Sequence, residues 1–130
     1  PIVNSKGEST KEVIVSLGKE GIPLNLTAIM STNQVDSLLS YIDADFRLIL
    51  SVFAGRIADT GCDPCPIVKS SVNMVRDFKK IEVLWASTRE VYNVVQAENV
   101  GCHIITMTYA FIKKLQLFGS LIYLFFCKMH

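Results

Sequence analysis

Phe46-Arg-Leu-Ile-Leu-Ser-Val-Phe-Ala-Gly-Arg-Ile-Ala-Asp-Thr-Gly61 is the stretch that decides the fold of this chain. It begins as an apolar run of strand length and ends in a polar loop. A continuous apolar run is typical of a buried parallel strand, and ligands bind at the carboxyl ends of such strands. Ser51 lies within the run and Arg56 follows it, where a guanidinium suits a phosphate or a carboxylate. Pairing of Arg56 with a neighbouring Asp explains this stretch equally well.

The alternation of strand and helix repeats along the whole chain. Strands are predicted at residues 24–30, 81–86 and 102–107 as well as in the run from Phe46, and a helical pattern follows each of them. Residues 1–3 look like the end of a further strand. Strands that alternate with helices predict a parallel α/β sheet. Two architectures fit: an open doubly wound sheet, or part of a (β/α)8 barrel, which needs about 250 residues when complete.

Polar side chains interrupt one apolar strand at Asn25 and Thr27. Asn25 and Thr27 share one face of a strand, because side chains alternate between faces. They form either a satisfied polar pair in the core or the wall of an active site.

Ser87 and Glu90 have the spacing of a capping box, as do Ser31 and Gln34. Arg89 is then expected in the first turn of a helix, where a cation is unfavourable, so it either meets an anion or is simply exposed.

Composition limits the classes of protein to consider. The chain has 130 residues, of which 50% are hydrophobic, and a net charge of +1. These values argue against a disordered chain and against a nucleic-acid partner. The first 20 residues lack the apolar core of a secretory signal, so we expect free thiols at the four cysteines.

Cysteine spacing leaves two alternatives open. Cys62-Asp-Pro-Cys65 has the spacing of a redox motif, but a loop and Pro66 separate it from the context that thioredoxin-type chemistry needs. A zinc site would need Cys102 and His103 together, and adjacent residues of a strand point to opposite faces, so no metal site is predicted. His103 is interpreted as structural.

Several motifs, in colinear order, resemble those of the transaldolase family. They are Gly21-Ile-Pro-Leu-Asn-Leu-Thr-Ala-Ile29, Ser51-Val-Phe-Ala-Gly-Arg-Ile57 with Asp59 and Gly61-Cys-Asp63, Leu84-Trp-Ala-Ser-Thr-Arg89, and Gly101-Cys-His-Ile-Ile-Thr106. The resemblance implies a partial (β/α)8 TIM barrel, in which residues 1–119 form the last four β/α units with the helices outside. It also implies a cytoplasmic enzyme of the pentose phosphate pathway that needs no cofactor and moves a dihydroxyacetone unit between sugar phosphates.

The family's nucleophile is a lysine that forms a Schiff base with a ketose. The resemblance puts this lysine two residues before the position of Pro1, and Lys6 falls in the following loop. We therefore expect the 130-residue chain to be inactive alone, with the missing half of the barrel or a second copy as its partner. The alternative is a non-catalytic remnant that binds sugar phosphate or a partner chain.

The resemblance also implies roles for seven residues of this chain. Asn25 and Thr27 match the polar pair beside the Schiff base, and Phe53 matches a position that favours transfer over simple aldol cleavage. The substrate and phosphate contacts are expected at Ser51, Arg56, Ser87 and Arg89.

The carboxyl end departs from the family. Residues 120–130 are apolar on every side, where a charged amphipathic helix is expected. Residues 117–127 are too few to span a bilayer, which takes about 20 apolar residues. A divergent or frameshifted end is therefore favoured over a membrane anchor. An apolar tail beside an open sheet edge predicts aggregation or obligate association.

Overall fold

Four parallel strands form a single sheet in the computed structural model of the chain, which describes residues 1–118. The strands are hydrogen-bonded in the order in which they occur in the sequence: β1 (Leu24–Ile29), β2 (Leu48–Val52), β3 (Ile81–Trp85) and β4 (Ile104–Ile105). All four predicted strands are confirmed, although β4 is shorter than expected. The predicted apolar tail at residues 120–130 lies outside the described residues.

Helices follow the strands as the sequence predicted, except that a short helix at Ala54–Asp59 occupies residues that were expected to form a polar loop. They are α1 (Lys11–Lys19), α2 (Thr32–Leu39), α3 (Ala54–Asp59), α4 (Cys65–Met74), α5 (Asn93–Asn99) and α6 (Tyr109–Lys114), which runs into a 3₁₀ turn at Leu115–Leu117. None of these described helices has both the length and the apolar character that crossing a membrane requires.

The order of the strands decides between the two predicted architectures. A doubly wound sheet reverses its strand order at a switch point, and this sheet has no reversal among its four described strands. Because parallel crossovers are right-handed, a sequential order puts every connecting helix on the same side of the sheet. The chain is therefore a partial (β/α)8 barrel, and the doubly wound alternative is wrong.

The hydrophobic core lies between the sheet and its helices. Leu26, Leu50 and Val83 are in register on adjacent strands, and all three are buried. The helices contribute the buried residues Ile14, Val35, Leu38, Val68 and Ala97 to the same cluster. On the opposite face, Asn25 and Glu82 are exposed. This second face is the one that lines the interior of a closed barrel.

A capping box starts α2, as predicted. The Ser31 hydroxyl accepts a hydrogen bond from the Gln34 N–H at 3.4 Å, and the Gln34 side chain accepts one from the Ser31 N–H at 3.1 Å. These bonds satisfy two N–H groups that have no partner within the helix.

The second predicted capping box, from Ser87 to Glu90, is wrong. The helix α5 begins at Asn93, and the Asn93 side chain accepts hydrogen bonds from the N–H groups of Arg89 and Glu90 at 2.8 and 3.1 Å. Ser87 has a φ of 63°, which is incompatible with the extended conformation of a capping residue. Arg89 therefore lies in the loop before the helix, and the helix dipole has no part in its placement.

Gly55 lets two loops at the carboxyl end of the sheet come into contact. Its N–H donates to the Ala86 carbonyl oxygen at 3.2 Å, and a Cβ at this position would collide with the Ser87 carbonyl group. The start of α3 is thus fixed against the loop that follows β3. Any side chain at position 55 must push the two loops apart.

We predict that Gly55→Ala lowers the free energy of unfolding by about 3 kcal/mol, because overpacking against a backbone carbonyl cannot be relieved by a side-chain rotation. Chemical denaturation monitored by Trp85 fluorescence measures this loss. Gly7→Ala is the matched control, since Gly7 has a φ of 80° but open space around its Cα. Its cost is expected to be about 1 kcal/mol. Equal losses in the two variants would contradict the proposed contact.

Candidate active site

Asn25 and Ser51 form a polar pair on the inner face of the sheet. The Ser51 hydroxyl donates to the Asn25 side-chain oxygen at 2.7 Å. Ser51 is only 3% exposed, while Asn25 reaches solvent. Within residues 1–118 the amide NH₂ of Asn25 has no hydrogen-bond partner, so it can donate toward the barrel interior.

Thr27 and Phe53 lie near this pair in sequence but are positioned by backbone contacts. The Thr27 carbonyl accepts a hydrogen bond from the Ile2 N–H at 3.3 Å, so the first residues of the chain run beside β1. The Thr27 side chain is half-buried and has no hydrogen bond within residues 1–118. Phe53 is also half-buried; its N–H donates to the Ile29 carbonyl at 2.9 Å just before α3 begins.

Three further predicted site residues meet where β2 and β3 end. Gly55 packs against the Ser87 backbone, and Arg56 is the next residue in α3. Arg56 is exposed, and its guanidinium has no ion pair or hydrogen bond within the part of the chain that the structure describes. A depression of about 300 Å³ is lined by Ser87, Thr88, Arg89 and the segment from Thr106 to Thr108. Arg56 is not one of its lining residues, but it follows Gly55, which contacts the Ser87 backbone. The loops after β2 and β3 therefore bring Arg56, Ser87 and Arg89 to one rim.

Arg89 forms a two-bond ion pair with Asp59. Its Nε donates to Asp59 Oδ1 at 2.9 Å and its Nη2 to Oδ2 at 2.6 Å. The sequence suggested a neighbouring Asp as the partner of Arg56, but in the structure Asp59 pairs with Arg89. Arg89 is exposed, as one alternative held, but it lies in the loop before α5 and not at the start of a helix.

The ion pair changes how both groups titrate. The hydrogen bonds from Arg89, and the positive charges of Arg89 and Arg56, lower the pKa of Asp59. The pKa of Arg89 is raised in return. Because the pKa of Asp59 is lowered on folding, the pair stabilises the fold above the unfolded-state pKa and loses this effect as the pH falls through the folded-state pKa.

Asn93 is a residue that sequence reasoning missed. It is buried, and it holds the loop by accepting hydrogen bonds from the backbone of Arg89 and Glu90. The sequence feature that could have identified Asn93 is an amide side chain among valines at the start of a helix, because a buried amide needs polar partners.

A cavity of about 630 Å³ lies at the opposite end of the sheet. It is lined by the first residues of the strands, including Leu24, Leu48 and Ile81, and by Arg76 and Lys79. Of the predicted site residues it includes Asn25 alone. Since catalytic residues of such barrels come from the carboxyl ends of strands, the smaller depression at the rim is the better candidate site.

Among the described cysteines, Cys65 lacks the lowered pKa that a redox centre needs. Cys62, Cys65 and Cys102 are free thiols. Burial, and then the neighbouring Asp63, raise the pKa of Cys65 to about 11. A reactive cysteine needs a lowered pKa, so Cys65 is poorly suited to attack a disulfide. The His103 ring accepts a hydrogen bond from the Val83 N–H at 3.0 Å, which agrees with a structural role.

Comparison with known proteins finds a family model and several relatives that share one description. A family model described as transaldolase/fructose-6-phosphate aldolase matches residues 7–122. A probable transaldolase of Clostridium acetobutylicum is 36% identical over 110 residues, which cover 83% of this chain and 48% of the relative. A probable transaldolase of Thermoanaerobacter is 35% identical over 103 residues, covering 78% and 45%. One from Nitrosopumilus maritimus is 33% identical over 94 residues, covering 71% and 40%. The chain thus spans less than half the length of these relatives.

We predict that alkylation of Cys65 by iodoacetamide speeds up about tenfold per pH unit from pH 8 to pH 10, because the thiolate fraction grows until the pH reaches the pKa. Peptide mass spectrometry measures the rate at each cysteine. Asp63→Asn is the matched variant: it removes an influence that raises the pKa, so labelling at pH 8 should become faster. A Cys65 rate that is already constant at pH 8 would return the redox alternative to consideration.

Proposed function

The chain belongs to the transaldolase/fructose-6-phosphate aldolase family, and on that basis we propose that it forms the phosphate-binding side of a sugar-phosphate transferase. The proposed reaction moves a dihydroxyacetone unit between sugar phosphates by way of a lysine Schiff base. We extend the proposal to the pentose phosphate pathway and to the cytoplasm. The observation that carries it is the meeting of Arg56, Ser87 and Arg89 at one rim of the sheet.

Arg56, Ser87 and Arg89 are proposed to hold the phosphate group. A phosphate dianion accepts several charge-assisted hydrogen bonds, and guanidinium groups match its geometry. Arg56 has its donors free within residues 1–118, and Arg89 retains donors beyond the two that Asp59 uses. Both arginines influence the same carboxylate, which supports their convergence on a single ligand.

Asn25, Thr27, Ser51 and Phe53 are proposed to surround the reacting end of the sugar. The bond from Ser51 orients the Asn25 amide, so its NH₂ group can donate to a substrate hydroxyl. Thr27, whose hydroxyl has no partner within the described residues, is proposed to hold the water that takes part in proton transfer. Phe53 is proposed to favour transfer over simple cleavage of the ketose.

The covalent step requires a lysine amine that attacks the ketose carbonyl and expels water to form an iminium. The iminium then accepts the electron pair of the breaking carbon–carbon bond. We propose that this lysine lies outside the 130 residues. Lys6 is exposed and occupies a turn in which its N–H donates to the Asn4 side chain at 2.9 Å. It is therefore not proposed as a substitute.

A barrel with this site needs four more strands. The inner sheet face exposes Asn25 and Glu82, and β1 and β4 are the edges of the described sheet. We propose that either the other half of a family barrel or a second copy of the chain covers this face. Light scattering on the purified chain distinguishes a dimer from a monomer.

We predict that the 130-residue chain forms no covalent adduct when fructose 6-phosphate and borohydride are added, because no lysine is placed for attack. Intact-mass spectrometry measures the adduct. A trapped adduct would contradict the proposed position of the nucleophile, and peptide mapping would then show whether Lys6 carries it.

We also predict that Arg56→Ala and Arg89→Ala each weaken fructose 6-phosphate binding by about tenfold or more, since each removes charge-assisted hydrogen bonds. Isothermal titration calorimetry measures the affinity. Arg76→Ala is the matched control, because Arg76 is exposed, bonds to Asn73 and lines the cavity at the opposite end of the sheet. Binding that survives both rim substitutions would contradict a phosphate site here. Binding that depends on both arginines fits a phosphate site in the proposed half-barrel and in the non-catalytic alternative alike.

A further inference from the structure

We propose that Asp59 is a positioning residue for the phosphate site: it holds the Arg89 guanidinium so that the remaining donors face the ligand. This inference rests on the proposed function, because Asp59 acts on the proposed phosphate ligand through Arg89 and not by direct contact. The geometry of the contact distinguishes this role from that of an ordinary surface ion pair.

The contact is made along one side of the guanidinium. Asp59 accepts from Nε at 2.9 Å and from Nη2 at 2.6 Å. A guanidinium has five N–H donors, so three remain, and all three lie on the two terminal nitrogens. These terminal donors form a second fork, suited to two oxygens of one phosphate. Asp59 and a phosphate can therefore bind Arg89 at the same time on different edges.

Asp59 also connects Arg89 to the other arginine of the rim. Arg56 and Asp59 are three residues apart in α3, so they lie on neighbouring positions of the helix surface. The charge of Arg56 contributes to the lowered pKa of Asp59. The carboxylate thus offsets the repulsion that two converging guanidinium groups would otherwise experience before the anion arrives.

The backbone of Arg89 is held independently of its side chain. The Arg89 N–H donates to the buried Asn93 side chain at 2.8 Å, and the preceding Thr88 hydroxyl donates to the Thr106 carbonyl. With the backbone fixed, only the side-chain torsions of Arg89 remain free. The Asp59 contact restrains these torsions, so binding need not order a long flexible side chain.

The exposure of the ion pair argues against a role in stabilising the fold. The Arg89 side chain is 41% exposed and that of Asp59 is 46% exposed. Ion pairs as exposed as this one contribute little to folding. Loss of the carboxylate is therefore expected to leave a folded protein, which makes the residue suitable for substitution.

The test is a double-mutant cycle on fructose 6-phosphate binding, with Asp59→Asn, Arg89→Ala and the double variant. Asp59→Asn is expected to weaken binding about fivefold, the cost of ordering one long side chain. In the Arg89→Ala background the same substitution is expected to have no further effect, because the residue acts through Arg89. Asp45→Asn is the matched control: it breaks the exposed pair between Asp45 and Lys80, whose contact distance is 2.8 Å.

The outcomes separate this inference from the proposed function. Tighter binding by Asp59→Asn would identify a competitor for Arg89 and overturn the positioning role. An equal loss in both backgrounds would show an effect that bypasses Arg89, with the same consequence. If Arg89→Ala and Arg56→Ala leave the affinity unchanged, the phosphate site itself fails and the positioning role fails with it.

A measurement without ligand completes the test. In a spectrum of arginine labelled with ¹⁵N, the Arg89 Nε–H is expected to be protected from exchange in the wild type and to lose protection in Asp59→Asn. Equal protection in both proteins would overturn the inference, because it would mean that Asp59 does not restrain the side chain.

Discussion

The contact between Gly55 and the backbone of Ser87 is the constraint on which the candidate site depends. Backbone meets backbone there, without an intervening side chain, so the ends of β2 and β3 are held at a fixed separation. Arg56 follows the glycine directly, and Arg89 lies two residues beyond the serine. The contact therefore helps to position both arginines, together with the bonds that Asn93 and Asp59 make to Arg89. Ser87 has a φ of 63°, an uncommon value for a residue other than glycine, and such strain persists only where the surroundings enforce it.

The sequence predicted most of the fold because the relevant signals are local. The apolar run from Phe46, the alternation of strands and helices, and the capping box of Ser31 and Gln34 all require only neighbouring residues to interpret. The choice between a barrel and a doubly wound sheet was different, because strand order is a property of the whole sheet. Motif resemblance favoured the barrel, and the sequential strand order confirmed it.

The candidate site was harder to predict than the fold. Asn25 and Ser51 were singled out separately, yet their hydrogen bond crosses between strands and could not be derived from either motif. The capping box predicted before α5 was wrong for two reasons. The Asn93 side chain, and not Ser87, accepts the hydrogen bond from the Arg89 N–H, and the Ser87 backbone packs against Gly55. The partner of Arg89 lies 30 residues away, at a distance along the chain where sequence spacing carries no information about contact.

The sequential order of the strands also bears on how the chain folds. Since each strand pairs only with the strand before it and the strand after it, most of the contacts between elements join neighbouring β/α units. Architectures built in this way resemble linear arrays, in which stability is approximately a sum over units and their shared interfaces. Structure can then grow from one completed unit to its neighbour, without waiting for a ring of strands to close.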